Sequence, residues 1–352
     1  MLKNLALSSL TLALTVSLVA CGGGGSGDAT TSNDNAATNA AVLTVVAPTR
    51  SVTIPTSTYP ANSVEQGAWT ILQQGRVLCG FGPLTQNTKL DAAALAHSRY
   101  LTSLSLASGD SVLSHEEELP SAPFYTGFNP WDRTSYQGYG NQVAEILEAS
   151  VWDYDSRNPP AFPTLEQRGA NSMRSLMNTV YHLVGAMYYG TDVGLGADIQ
   201  DVPMGGTQRR EEYRFGALNG FQNSRVVLGP RVLATYPCDG SANIPTAFFP
   251  ANETPNPFPN LDPNTSVGPP IYLKADAGQT LTLTSSSVST AGTNIPTVAL
   301  NHRNDPQHEI GLNEAFVIPV VALRPGTSYQ VTLTGQVDSD AFSRSFTMTT
   351  EP

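Results

Sequence analysis

Hydrophobic and polar positions change rhythm several times along the 352-residue chain. In Lys89–Ser108, Leu90, Ala94, His97, Leu101 and Leu104 recur at helical spacing, which predicts an amphipathic helix with His97 on its apolar face. Ala144–Trp152 (AEILEASVW) and Gly169–Tyr189 (GANSMRSLMNTVYHLVGAMYY) predict two more helices, the second with Met173, Leu176, Met177 and Val180 as a core stripe. Thr191–Ile199 (TDVGLGADI) alternates toward a buried strand in which Gly194 and Gly196 allow close packing. Arg225–Pro237 is another strand-rich stretch. Helices and strands intermix, so residues 59–235 read as a mixed α/β layered domain. From about Tyr236 the chain becomes dense in Pro and Asn, which suggests an extended linker or an irregular domain start over 236–268. Residues 269–352 then carry short Thr- and Val-rich runs (PPIYLKAD, QTLTLTSSSV, EAFVIPVVAL, SYQVTLTGQVD, FSRSFTMTT) separated by turn residues. That spacing predicts a small all-β sandwich.

The N-terminus follows a different pattern. In MLKNLALSSLTLALTVSLVAC, Lys3 precedes an apolar run from about Leu5 to Ala20, the length and position of a secretory h-region. The run ends in Leu18-Val19-Ala20-Cys21, which resembles the bacterial lipoprotein lipobox. The resemblance implies a signal peptide over 1–20 and lipidation of Cys21; the alternatives are a plain secretory signal or a short membrane helix. Several acyl chains make a stable anchor. Gly22, where retention in the inner membrane would want Asp, implies sorting to the outer membrane or cell surface. Residues 21–58 are mostly Gly, Ala, Ser, Thr, Asn and Asp and predict a flexible tether. No other apolar stretch is long enough to span a bilayer, so contact with the membrane is expected through the anchor only.

Composition narrows the partners. Hydrophobic residues make up 40% of the chain and charged residues 13%, so a sizeable core is expected beneath a surface of neutral polar groups. The net charge of −11 and the lack of a basic patch argue against nucleic-acid binding. With Cys21 lipidated, Cys79 and Cys238 remain as an even pair in an oxidising compartment, either bridged or as two buried thiols.

The chemistry has to be sought among few residues. His115 directly precedes Glu116, Glu117 and Glu118 in VLSHEEELPS. The chain has no Gly-x-Ser-x-Gly elbow, His-Glu-x-x-His, P-loop or dinucleotide fingerprint. Four blocks, LDAAALAHSRYL, LSHEEE, PFYTGFNPWDRTSYQGYGNQVAEIL and LMNTVYHLVGAMYYGTDVGLGADI, resemble in order and spacing the CAP superfamily of cysteine-rich secretory, antigen 5 and pathogenesis-related proteins. The resemblance covers roughly residues 64–199. It implies an α-β-α sandwich and a central cleft of two histidines and two glutamates. Carried over block by block, these are His115, Glu145 and His182, with Glu148 as the second glutamate and Glu116 as its competitor. The family's Gly-Glu-Asn triplet does not occur as such, and Leu183 follows His182 where bacterial members usually carry Arg. Two imidazoles with nearby carboxylates can bind Zn²⁺ or another divalent cation; without metal, a His–Glu pair fixes a tautomer and moves a pKa.

Around this set, His97 reads as a core or cleft-wall histidine, and Glu117 and Glu118 as solvated acids. Arg133 reads as the partner of an acid that holds its loop, while Trp131, Tyr136 and Tyr139 are candidates to line the groove. LRPGTSYQVTLTG, Leu323–Gly335, resembles a strand of fibronectin type III and other immunoglobulin-like domains, with Tyr329 as the tyrosine-corner residue. The resemblances together imply a surface-anchored lipoprotein whose cleft binds a lipid, sterol, glycan or protein partner. An envelope hydrolase using the same His/Glu cleft, with or without Zn²⁺, is the other expectation.

Overall fold

In the computed structural model, which describes residues 44–51, 53–140 and 142–352, the first helix α1 (Val64–Cys79) starts at Ser63. The Ser63 hydroxyl accepts the Gln66 N–H, and the helix ends at Gly80 in the left-handed region, φ 78°. The expected signal peptide, Cys21 and residues 22–43 of the expected tether lie outside the described residues. Strand β1 (Thr85–Gln86) leads into α2 (Thr88–Ser108), which Asn87 caps and Gly109 terminates. There follow α3 (Pro130–Tyr136), β2 (Val143–Asp155), α4 (Leu165–Leu176), α5 (Tyr181–Ala186), β3 (Asp192–Gly205) and β4 (Gln208–Gly220). The remainder is nearly all strand: β5 (Ala234–Tyr236), β6 (Ser241–Ile244), β7 (Ile271–Lys274), β8 (Leu281–Thr290), β9 (Thr293–Ile295), β10 (Thr297–Asn301), β11 (Glu314–Pro319), β12 (Ser328–Val337) and β13 (Asp340–Thr350).

Two expected helices are corrected. Ala144–Trp152 is strand, not helix: it pairs without a bulge along the whole of β4, and this pairing overrides the helix propensity of its Ala, Leu and Glu. Gly169–Tyr189 is not one helix but two, α4 and α5. The break has a cause outside the segment. Glu253 brings its carboxylate to the N–H groups of Val180, Tyr181 and His182, at 2.9, 2.6 and 3.1 Å, and starts a new helix there.

The chain is mixed α/β with three small sheets. The first has the order β1-β3-β4-β2, with β1 parallel to β3 and the other pairs antiparallel. Helix α2 covers one face. A Cβ at Gly194 or Gly196 would fall inside the backbone of Leu90 or Leu95, so the two glycines do permit the close approach of α2. The other face buries Ile146, Val193, Leu195, Tyr213, Phe215 and Ala217 with residues of α1, α4 and α5.

The second sheet (β10-β11-β7-β5) lies between two cores. Tyr272, Phe316, Ile318 and Leu300 pack into the helical core, while Ile271, Leu273, Ala315 and Val317 pack against the third sheet (β6-β13-β12-β8-β9). Its central strands are therefore buried on both faces, which explains the unbroken apolar run AFVIP after Glu314. In the third sheet, the buried Tyr329 hydroxyl accepts the Arg324 N–H at 2.8 Å.

Two expected boundaries also move. Residues 44–58 are not free tether. Val45 is in the core, Val46 bridges Val232, Ser51 N–H donates to Val77, and Trp69 Nε1 donates to the Pro55 carbonyl. Nor is 236–268 an unattached linker, because it supplies β6, the buried Glu253 and a bridge between Phe248 and Val267. The described residues from 44 to 352 thus belong to one compact unit. Cys79 and Cys238 form a disulfide with Cα atoms 5.4 Å apart, within the usual range, tying the end of α1 to the turn after β5. Among the described residues, no helix is long and apolar enough to cross a membrane.

Candidate functional site

Strand β2 is the edge of the first sheet, and a cleft of about 580 Å³ runs along it. Leu147, Glu148 and Ala149 form its base. Residues of the 113–116 loop stand on one side, with Thr179 and His182 opposite and residues 247–255 closing the end. His115, Glu116, Glu148 and His182 all line this one space, and Glu145 lies behind His115, nearly fully buried. Residues far apart in the chain therefore meet.

The strand geometry separates the two glutamates. Three residues apart on a strand, Glu145 and Glu148 point to opposite faces. Glu145 turns toward α2 and His115, whereas Glu148 shares the face of Ile146, toward α4 and α5.

On the Glu145 side the side chains form a closed network. His115 Nδ1 lies 2.9 Å from Glu145 Oε2, and Arg133 Nη2 donates to both oxygens of Glu145 at 2.8 and 2.7 Å. Arg133 also donates from Nη1 to the carbonyls of His115 and Phe128, so it holds the loop through an acid as the sequence suggests. Glu117 is not a solvated acid. It is fully buried, receives N–H groups from Thr126 and Gly127, and meets His97 Nδ1 at 2.9 Å. His97 Nε2 donates to the Ser114 carbonyl at 2.9 Å, which makes His97 a satisfied core histidine supporting the loop from beneath. Glu116 and Glu118 are exposed.

The electrostatics follow from this arrangement. Burial pushes the Glu145 carboxyl up, but the Arg133 guanidinium, aided by His97 and His115, brings it down to about 2. For His115, burial favours the neutral ring, yet the hydrogen bond and charge of Glu145 outweigh it, with Glu116 adding and Arg133 opposing. The net effect raises its pKa above the usual histidine value. Its Nδ1–H is committed to Glu145, which leaves Nε2 as the available nitrogen of the neutral ring.

On the Glu148 side the constraints are looser. The Thr179 hydroxyl donates to the Leu176 carbonyl, so it must accept from His182 Nδ1, 2.9 Å away. Glu253 Oε1 stands 3.4 Å from the same nitrogen. His182 Nδ1 therefore carries a hydrogen. Burial raises the Glu148 carboxyl, with Ser172 and His182 pulling the other way. Its Oε2 is buried and makes no hydrogen bond.

Several residues fall outside the sequence-based expectation. Trp131 and Tyr136 are solvent-exposed, and Tyr139 is buried with its hydroxyl on Asp192, so none of the three lines the cleft. Glu253 and the 247–255 wall carry no sequence signal, since they sit in the Pro- and Asn-rich stretch without periodicity. Among the described residues, no three or more His, Cys, Asp or Glu side chains are grouped to hold a metal ion. Compared with protein-family models and with curated proteins, the chain finds no match.

Proposed function

We propose that this chain is a ligand-binding protein of the bacterial envelope, resembling CAP proteins, exported and anchored through Cys21. Its cleft would take a lipid, sterol, glycan or protein segment. The observation that carries the proposal is the convergence of His115, Glu116, Glu148 and His182 on one cleft, with Glu145 holding His115 from behind. Helices on both faces of the first sheet support the likeness to an α-β-α sandwich. The Tyr329 hydroxyl bonded back to Arg324 supports an immunoglobulin-like C-terminal part. In this reading His115 and His182 present their imidazoles to the ligand, and Arg133, Glu117 and His97 hold the loop that carries His115.

The test is a titration of the isotopically labelled chain with sterol, phospholipid micelles, muropeptides and Zn²⁺, followed by NMR. At least one probe should shift residues 113–116, 147–149 and 179–182, with affinity at least tenfold weaker in His115→Ala. If the His115→Ala and His182→Ala variants bind every probe as wild type does, the proposal fails. For the anchor, labelled palmitate should appear on the wild-type chain and be lost from Cys21→Ser.

A second reading, an envelope hydrolase, is favoured by one observation: a Glu148 carboxyl raised by burial that shares the cleft with His182. A carboxyl held partly protonated can act as a general acid. Turnover of peptidoglycan or peptides that Glu148→Gln abolishes would support it, and equal turnover by the variant would remove it.

A further inference from the structure

The base of the cleft is a sheet edge with its main-chain groups unspent. Phe221 N–H donates to the Gln142 carbonyl, and from there β2 and β4 pair in unbroken antiparallel register. Antiparallel bonding alternates, so the even-numbered residues of β2 bond to β4 and the odd-numbered ones direct N–H and C=O away from it. Leu147 and Ala149 are odd-numbered and line the cleft. Their outward groups meet no donor or acceptor among the described residues. Edge strands are usually blunted by proline, charged side chains or a bulge; Leu147–Ala149 has no proline or bulge, and its one charge is Glu148.

The side chains beside this edge indicate what would be accepted there. Glu148 lies between the two outward-facing residues, with Oε2 buried and unbonded, and Glu116 adds an exposed carboxylate at the rim. A strand added to β2 would place one residue directly opposite Glu148, in a non-hydrogen-bonded pair where side chains approach most closely. Its two neighbours would bond to Leu147 and Ala149 and turn their side chains to the other face, where the His115 imidazole can hydrogen-bond a hydroxyl group.

We propose that the cleft binds an extended peptide segment as an added strand on β2, through the main chain of Leu147 and Ala149, with a lysine or arginine opposite Glu148. This rests on the reading that the cleft is the binding site, and it names the ligand class.

The probe is fluorescein-labelled Val-Thr-Arg-Thr-Val, acetylated and amidated, with anisotropy measured on the full chain. Saturable binding is expected. N-methylation of the two threonine amides should weaken it at least tenfold, while N-methylation of the arginine amide, which faces outward from β2, should change it less than twofold. Replacing arginine by glutamate in the peptide should weaken binding to wild type at least tenfold, and the difference should shrink in Glu148→Gln. Absence of saturable binding, or equal loss from methylation at either set of amides, overturns the proposal. The two readings fail separately. If the peptide does not bind while another probe still shifts the cleft residues, strand addition falls and the cleft stands. Peptide binding that shifts only residues outside the cleft likewise overturns strand addition, and the cleft reading is then decided by the other probes.

Discussion

At the scale of single residues, the cleft depends on Glu145 more than on the histidine in front of it. Glu145 is shared by a guanidinium and an imidazole, and its two neighbours compete for the same charge. Its carboxyl is held at about 2 against an ordinary 4.5, a gap worth about 3 kcal/mol. A depressed carboxyl contributes stability above its unfolded value of 4.5 and loses it as the pH falls toward 2. The raised His115 works the other way: its contribution is complete below the ordinary 6.5 and is lost as the pH rises through the raised value. Glu145→Gln should therefore flatten the acid limb of stability between pH 4.5 and 2, read by urea unfolding. It should also drop the His115 titration midpoint below that of wild type, read by NMR, because burial and Arg133 are then opposed by Glu116 alone. The short blocks in the sequence named His115, Glu116, Glu145, Glu148 and His182, which the fold brings to one cleft. Glu117 was not, since three consecutive glutamates give no sign of which one the fold will bury, and Glu253 was not, since its target is the start of a helix about seventy residues earlier.

At the scale of elements, the decisive difference is that AEILEASVW is a strand. On a helix, Glu145 and Glu148 would share a face and one environment. On β2 they fall on opposite faces, and one is held ionised by Arg133 while the other has its pKa raised by burial. Local composition favoured the helix, and only pairing with β4, more than sixty residues away, decided otherwise. Where the local signal coincided with the packing demand, the sequence was a good guide. The alternation around Gly194 and Gly196 marked a strand meeting a helix at close range. Gly196→Ala should force α2 away from β3, costing at or above the about 1–3 kcal/mol typical of overpacking, and a shift in the urea midpoint with an unchanged m-value would show it.

At the scale of the whole molecule, the second sheet belongs to both cores. Cutting the chain at residue 268 would strip Tyr272, Phe316, Leu300 and Ile318 from the helical core. The fragment 44–268 should therefore fail to fold alone, and the full chain should unfold in a single calorimetric transition; two separable transitions would contradict this. The sequence divided the chain at its proline-rich stretch because composition reports local stiffness and polarity, not what a segment packs against. The Cys79–Cys238 disulfide closes 159 residues, worth about 5 kcal/mol in the chain-entropy account. Cys79→Ser should lower the thermal midpoint, and a reductant should lower that of wild type but not of the variant. The strap formed by residues 44–58 has a mechanical meaning as well. Tension on the chain ahead of residue 44 enters the body through Val46 on Val232, then through Arg50 on the Asp239 carbonyl and Ser51 on the Val77 carbonyl. Those last two contacts lie beside Cys238 and Cys79, so a force pulling on the N-terminus is delivered next to a covalent bond rather than to the peeling end of a helix.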